Sequence, residues 1–311
     1  MSYELEFEAP VRQLDSDLAK LRRSEGNDDR IRALEEEIDG LLAGIYSDLT
    51  PWQTVQVARH RDRPYTLDYA KWIFSDFIEL HGDRRFGDDR AILGGPALLD
   101  GKAIMVVGHQ KGRDTRANVE HNFGMPNPEG YRKAIRLFRQ AEKLGLPIVT
   151  FIDTPGANPS LPAEERGQAQ AIAESIATML ALRVPTLAIV TGEGGSGGAL
   201  AIAVADRLLM LEHSIFTVAS PEAAASILWR DAAQAPAAAA SMKITGRDLL
   251  ELGIADYLIP EPVGGAHRDH AATASNIREA IEHHLNLLGH LDSDELVRLR
   301  HEKYRRIGAI G

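Results

Sequence analysis

Between residues 146 and 211 short apolar runs rich in β-formers alternate with segments of helical period. LPIVTFIDTPGA (146–157) and VPTLAIVTGEGG (184–195) share one outline: an apolar residue, a proline, a β-rich run and a glycine turn. AEERGQAQAIAESIATMLAL lies between them as one predicted helix. SGGALAIAVA follows the second run, and DRLLML reads as another short strand. Buried strands alternating with helices predict an α/β domain with largely parallel pairing. Both glycine turns then lie at equivalent ends of parallel strands and face one crevice, where ligands of such sheets bind.

The flanking segments carry their own signals. GGPALLDGKAIMVVGHQ (94–110) reads as two strands joined at Asp100-Gly101, the dipeptide of a type I′ hairpin. Thr66 caps a predicted helix through LDYAKWIFSDFIEL (67–80), with Asp68 in its first turn. HGDRRFGDD reads as a loop. Asn127-Pro128 opens a helix that runs through EGYRKAIRLFRQAEKL and stops at Gly145. Two helices are expected in 11–48: Leu14, Leu18 and Leu21 share one face, and Ile31, Leu34, Ile38, Leu41 and Ile45 another, with SEGNDD (24–29) as the break. This arm either packs on the body or offers its stripe to a partner helix; packing is the simpler expectation. After about residue 260 the chain turns helical and charged. The division expected is an arm at 1–60, a core at 61–262 and a peripheral tail at 263–311. Trp72 and Trp229 sit in helical patterns and are expected in the core.

Composition narrows the function. The formal charge of −10 over 311 residues argues against nucleic-acid binding through a basic surface. The absence of cysteine removes disulfides, a thiol nucleophile and Cys-based zinc sites from this chain. The opening MSYELEFEAP lacks the cationic and apolar runs of a secretory signal, and the apolar stretch 184–210 is interrupted by Glu193 and Asp206. A cytoplasmic protein with no membrane span is therefore expected.

The densest motif is GEGGSGGAL (192–200). Gly192, Gly194 and Gly197 form G-x-G-x-x-G, with Glu212 placed like a ribose-binding acid, but the following helix is short for a dinucleotide crossover. Gly194, Ser196 and Gly198 form G-x-S-x-G, which would make Ser196 a nucleophile served by Asp206 or Asp256 and His213 or His267. A third reading uses only backbone. Glycines at a helix start expose unpaired N–H groups and admit a ligand oxygen closely, which makes an oxyanion hole. The bland alternative is tight packing of helix on strand. DTPGANPS, with Gly156 and Ala157, is a turn of similar kind.

GHQKGRD, NFGMPNPEGYRKA, FIDTPGA, AEERGQAQAIA, GEGGSGGALAI, ASILW and IPEPVGGAHR stand in order along the chain. In this the sequence resembles the carboxyltransferase α subunits of bacterial acetyl-CoA carboxylases, strongly from about Arg63 to Arg268. The resemblance implies a crotonase-like (ClpP/crotonase) superhelix of β-β-α units with a helical arm and tail. It implies an α2β2 carboxyltransferase that moves a carboxyl group from carboxybiotin, on a biotin carboxyl carrier protein, to acetyl-CoA, giving malonyl-CoA for fatty-acid synthesis. A biotin carboxylase consumes the ATP elsewhere. Zinc is implied only in the β partner, and no metal here. The amides of Gly197 and Gly198 are implied to hold the biotin ureido oxygen, with Gly194, Gly195, Ser196, Gly156 and Ala157 lining the site. The β subunit is implied to hold the enolate, and biotin to act as the base.

Lys111 and Arg113 in HQKGRD are candidates for CoA phosphates or the partner subunit, against a solvated loop. Arg132, Arg136, Arg139 and Lys143 make a basic stripe, which reads as a solvated face unless a ligand lies on it. Glu164 and Glu165 suit a helix start, and His267 an interface or fold role. The family pattern DTPGAYPG has Asn158 and Ser160 here, and SPEGCASILW has Ala223 and Ala224, which leaves a divergent acyl-CoA acceptor open. Two other classes remain open: a stand-alone crotonase-type enzyme using Glu193 and Glu222 as paired carboxylates, and a serine hydrolase through Ser196.

Overall fold

The computed structural model describes residues 5–24 and 26–308. Residues 1–4 of the opening segment, Glu25 of the expected break and 309–311 lie outside the described residues. The helices are α1 (Ala9–Leu21), α2 (Asp28–Tyr46), α3 (Pro51–Ala58), α4 (Thr66–Ile73), α5 (Thr115–Glu120), α6 (Pro128–Leu144), α7 (Leu161–Glu165) and α8 (Gln168–Ala181). They continue with α9 (Ser196–Leu200), α10 (Pro221–Trp229), α11 (Ala235–Met242), α12 (Gly246–Glu251), α13 (His270–Leu288) and α14 (Ser293–Arg306). The strands are β1 (Ile92–Leu99), β2 (Lys102–His109), β3 (Ile148–Thr154), β4 (Thr186–Gly195), β5 (Arg207–Leu211), β6 (Ile215–Thr217) and β7 (Tyr257–Ile259).

The sheet runs β1-β2-β3-β4-β5-β7, and β6 pairs with the far end of β4. β1 and β2 are antiparallel and the remaining pairs are parallel. At the hairpin Leu99 pairs with Lys102, and Asp100 and Gly101 take φ of 50° and 76°. Two successive positive φ values are what a type I′ turn requires, so the Asp-Gly signal is borne out.

Alternation along β2 divides two cores. Met105 and Val107 pack with Tyr131, Leu137 and Phe138 of α6 and Met179 of α8. Ile104 and Val106 pack with Tyr69 and Ile73 of α4 and Ile277 and Ile281 of α13. Successive strand residues face opposite sides, so one strand serves both layers. α13 is therefore a packed layer, not a peripheral tail. α14 is anchored by Arg300, fully buried, whose guanidinium meets the Asp206 carboxylate at 2.8 Å and the carbonyls of Met179 and Leu182 at 2.8 and 2.7 Å. The guanidinium so completes the C-terminal end of α8, whose last carbonyls lack helical partners.

The arm packs as expected. Val11 and Leu18 of α1 lie against Ile38 and Leu42 of α2. Arg268 then ties it to the body, donating to Glu8 at 2.9 Å and to Asp15 at 3.1 Å, while the Tyr46 hydroxyl donates to Glu8 at 2.5 Å.

Three local expectations fail for identifiable reasons. The helix from Thr66 ends at Ile73, because residues 75–80 run along the edge of β1. Ser75, Ile78 and Leu80 donate to the carbonyls of Leu98, Pro96 and Gly94. Gly95 permits this approach, since a Cβ there would collide with the Ile78 carbonyl. The expected helix 163–182 is divided at Gly167, which takes φ 84°. Trp72 and Trp229 are each 46% exposed and are not core residues; Trp72 stacks on His270 at the surface.

Candidate functional site

Both glycine turns lie together at the ends of parallel strands. β3 passes into Pro155-Gly156-Ala157, folded back by the Thr154 hydroxyl, which accepts from the Gly156 amide at 3.1 Å and donates to the Gly156 carbonyl at 2.8 Å. β4 runs on to Gly195, and Thr154 pairs with Gly194. On its other side Glu193–Gly195 pairs with β6.

The glycines have separate reasons. A Cβ on Gly192 would lie 2.6 Å from the Asp153 carboxylate, and one on Gly195 would strike the Pro155 main chain. A Cβ on Gly194 would press on the Phe216 ring, and one on Gly198 would reach 2.5 Å from the Gly156 carbonyl carbon. At these four positions the close approach is made by the chain's own atoms, so packing accounts for most of the glycine density. Gly197 differs: its Cβ would meet only Ile172, at 3.5 Å, an ordinary contact. Nothing in this chain forbids a side chain at 197.

α9 has five residues, shorter than the run expected before Asp206. Among the described residues neither the Gly197 nor the Gly198 amide makes a turn, loop or cap bond to another main-chain carbonyl. Free donors at a helix start are ordinary. Gly197 borders an apolar cavity of about 500 Å³ that opens beside Ser196, walled by Leu200, Phe216, Val218 and Ile244, while Gly198 is buried behind it.

The surrounding charges are paired. Lys111 donates to Asp153 at 2.5 Å, and the same carboxylate oxygen accepts the Glu193 amide at 3.0 Å. The ammonium thus holds β3 to β4 below the turns. Arg113 stands apart, bonded to Asp68 at 2.5 Å and over the Tyr65 ring. Arg59, which no sequence pattern marks, lies between Glu193 at 2.7 Å and Glu222 at 2.6 Å. Burial alone would raise the Glu222 pKa; the bond and charge of Arg59 together with bonds from its own amide and Ser220 lower it. The two acids are a cation's ligands, so the paired-carboxylate reading of a stand-alone crotonase-type enzyme loses its acid. Beneath α9 lies His109, fully buried beside the Gly198 and Phe151 main chain; burial takes its pKa to about 4, so it is neutral.

The hydrolase reading fails on geometry. Ser196 is exposed with φ 52°, an elbow-like backbone, but its hydroxyl has no partner among the described residues. Asp206 is held by Arg300 and Thr186, and Asp256 by Lys303. His213 packs on Tyr46, and His267 stacks on His60. The departures from the family pattern are absorbed locally. Asn158 donates to Asn127 at 2.8 Å and accepts the Ser160 amide at 2.9 Å. Ala223 lies in the first turn of α10, where its amide is capped by the Ser220 hydroxyl.

Solved structures share this architecture. A chain of the transcarboxylase 12S core, solved with methylmalonyl-coenzyme A and methylmalonic acid bound, matches with a TM-score of 0.60 at 18% identity, over 73% of this chain and 42% of its own. A chain of a Pseudomonas malonate decarboxylase hetero-tetramer, solved with coenzyme A, gives 0.60 at 20% identity, over 77% of this chain and 95% of its own. The fold is that of the crotonase-like carboxyltransferases. A family model described as "Acetyl co-enzyme A carboxylase carboxyltransferase-like" matches residues 4–308. Acetyl-coenzyme A carboxylase carboxyl transferase α subunits from Geobacter metallireducens and Halorhodospira halophila are 54% and 53% identical, each over 98% of this chain and 97% of the relative. One from Listeria welshimeri is 51% identical over 99% of this chain and 98% of its own. The chain belongs to the family of acetyl-CoA carboxylase carboxyltransferase α subunits, and it is a transferase component. Among the described residues no helix is long and apolar enough to cross a membrane.

Proposed function

We propose that the chain supplies the carboxyl-donor side of a carboxyltransferase site shared with a β subunit, working in the cytoplasm. Its substrates are carboxybiotin on the biotin carboxyl carrier protein, loaded by a biotin carboxylase, and acetyl-CoA, converted to malonyl-CoA. The amides of Gly197, on the rim of an apolar cavity, and of its neighbour Gly198, at the start of a helix, carry this reading. They are fixed before any ligand arrives, so they stabilise a developing oxyanion without reorganising. Their role is to hold the ureido oxygen of biotin as negative charge grows on it. The cavity wall of Leu200, Phe216 and Ile244 keeps water from the same place and strengthens those bonds.

No carboxylate near the turn is free to act as a base, since Glu193 and Glu222 both bind Arg59. That agrees with biotin taking the proton and with the β subunit holding the enolate. Lys111 is a positioning residue through Asp153, and the role left to Arg113, bonded to Asp68, is toward the partner or the CoA tail. Zinc is assigned to the β partner.

The test is biotin-dependent decarboxylation of malonyl-CoA by this chain, by a zinc-ribbon β subunit and by the mixture. Activity only in the mixture is expected. Activity in this chain alone overturns the shared site.

A further inference from the structure

A second cluster of charge lies outside the crevice. Asp83 is buried, and its Oδ1 accepts the amides of Arg85, Phe86 and Gly87 at 2.9, 2.8 and 3.0 Å. This winds residues 83–87 around one carboxylate and leaves Arg84 (φ 63°) and Arg85 exposed. Opposite them α6 presents Arg132, Arg136 and Arg139, one stripe at helical spacing. Arg136 donates to the Gly82 carbonyl at 3.0 Å and fixes the loop against the helix. The two elements enclose a groove of about 310 Å³.

Five guanidiniums line this groove with two carboxylates, Asp83 and Glu174. Asp83 Oδ1 is occupied with loop amides and its Oδ2 lies 4.0 Å from Arg132, which also faces Glu129 at 3.6 Å, and Glu174 pairs with Arg139 at 3.3 Å. The Arg85 guanidinium has no bonded partner among the described residues. Burial, and then the neighbouring Arg84 cation, lower the Arg136 pKa. Like charges gathered this closely oppose one another, and the chain as a whole carries −10. A solvated stripe explains α6 alone. It does not explain a rigid loop that adds two more cations to face it.

We propose that this groove binds a small anion bearing two or more phosphoryl groups. Guanidinium forks match phosphoryl oxygens in pairs, and several converge here. A single carboxylate would leave most of the excess charge unbalanced. The volume sits at the lower end for small-ligand sites and suits an oligophosphate rather than a folded partner. The loop also rests on the frame of the candidate site. Lys133 bonds Asp88 at 2.6 Å, Asp89 accepts the Asn127 amide at 2.5 Å, and Asn127 accepts from Asn158 in the first glycine turn.

The experiment is calorimetric titration of inorganic pyrophosphate into the full chain at low and at raised salt. Saturable binding that weakens with salt is expected. Arg84→Glu/Arg85→Glu is expected to weaken it about tenfold or more, and Arg139→Glu, on the other wall, in the same direction. Arg305→Glu/Arg306→Glu, an equal charge change on α14, is expected to leave it within about twofold, because neither residue lines the groove. No saturable binding overturns the proposal, as does an equal loss in the α14 control. Coenzyme A is then added as competitor. Displacement assigns the groove to the nucleotide tail of that substrate, and no displacement to a separate phosphorylated ligand. Either result upholds the site, and neither depends on turnover.

Discussion

At the scale of single residues the neighbouring glycines Gly197 and Gly198 separate packing from ligand approach. Gly198→Ala drives a methyl into the Gly156–Ala157 main chain. Its expected outcome is a lower thermal midpoint together with lost activity, because neither backbone segment can yield cheaply. Gly197→Ala meets only the flexible Ile172 side chain. Its thermal midpoint is expected to hold or to rise slightly, since alanine costs less conformational entropy than glycine. Its activity in the mixed complex is expected to fall by about 10²-fold, because a methyl beside the donors displaces the bound oxygen. A Gly197→Ala chain with full activity would remove the ligand argument there. Ser196→Ala is expected to keep activity near that of the unmodified chain; a total loss would restore the nucleophile reading. In sequence alone the five glycines looked alike. What distinguishes them is which other segment crosses above each, and that is decided by strands far apart along the chain.

At the scale of elements, local rules read well wherever an element's ends are set by its own residues. The Asp100-Gly101 hairpin and α6, opened by Pro128 and closed by Gly145 at φ 67°, are such cases. Reading failed where another element supplied the reason. α4 gives up its second half to the edge of β1, and Trp72 stays at the surface on α13's His270. Arg59 escaped notice because an arginine at the end of a short helix carries no signal until its two acids are known. The buried pair of Arg63 and Glu261 is similar: the guanidinium meets the carboxylate at 2.8 Å and the Thr191 carbonyl of β4 at 2.8 Å. Burial would push the Glu261 pKa up, but the Arg63 cation and the amides it accepts hold it at about 2, against an ordinary 4.5. A depressed carboxylate stabilises the fold fully above its ordinary value and less as the pH falls toward its folded value. Stability is therefore expected to decline between about pH 4.5 and 2. Glu8, also held at about 2, titrates in the same window. Glu261→Gln is expected to cost about 3–5 kcal/mol near neutrality, because it strands a buried cation, and to shrink the acid slope without abolishing it. Urea midpoints measured at several pH values check both; an unchanged slope would take Glu261 out of the acid response.

At the scale of the whole molecule, apolar surface is unevenly spread. Val218, on the wall of the cavity at Gly197, is 79% exposed, and the consecutive Ile227, Leu228 and Trp229 at the end of α10 are 77%, 65% and 46% exposed. Contiguous apolar exposure of this kind marks an interaction face. It suits a site completed by a second subunit. Ile227→Asp is expected to leave the chain's own thermal midpoint unchanged and to weaken association with the β subunit about tenfold or more, measured by sedimentation of the mixture. Unchanged association would place the partner on another face. The arginine groove is the opposite exception, a cationic hollow in an acidic molecule. Neither feature follows from composition, which averages them away.

The main-chain amides of Gly197 and Gly198 have a consequence for how such a site is inherited and probed. Every amino acid except proline brings the same N–H, so no exchange of side chains deletes the donor itself. Alanine scanning reports only on atoms crowded against it. The group becomes visible when the peptide linkage is changed, as in an amide-to-ester replacement that puts oxygen where the N–H stood. A drift in sequence can likewise alter everything around these donors and leave the chemistry in place. The main-chain path, rather than any letter of the sequence, is then the conserved quantity, and proline is the one substitution that writes directly upon it.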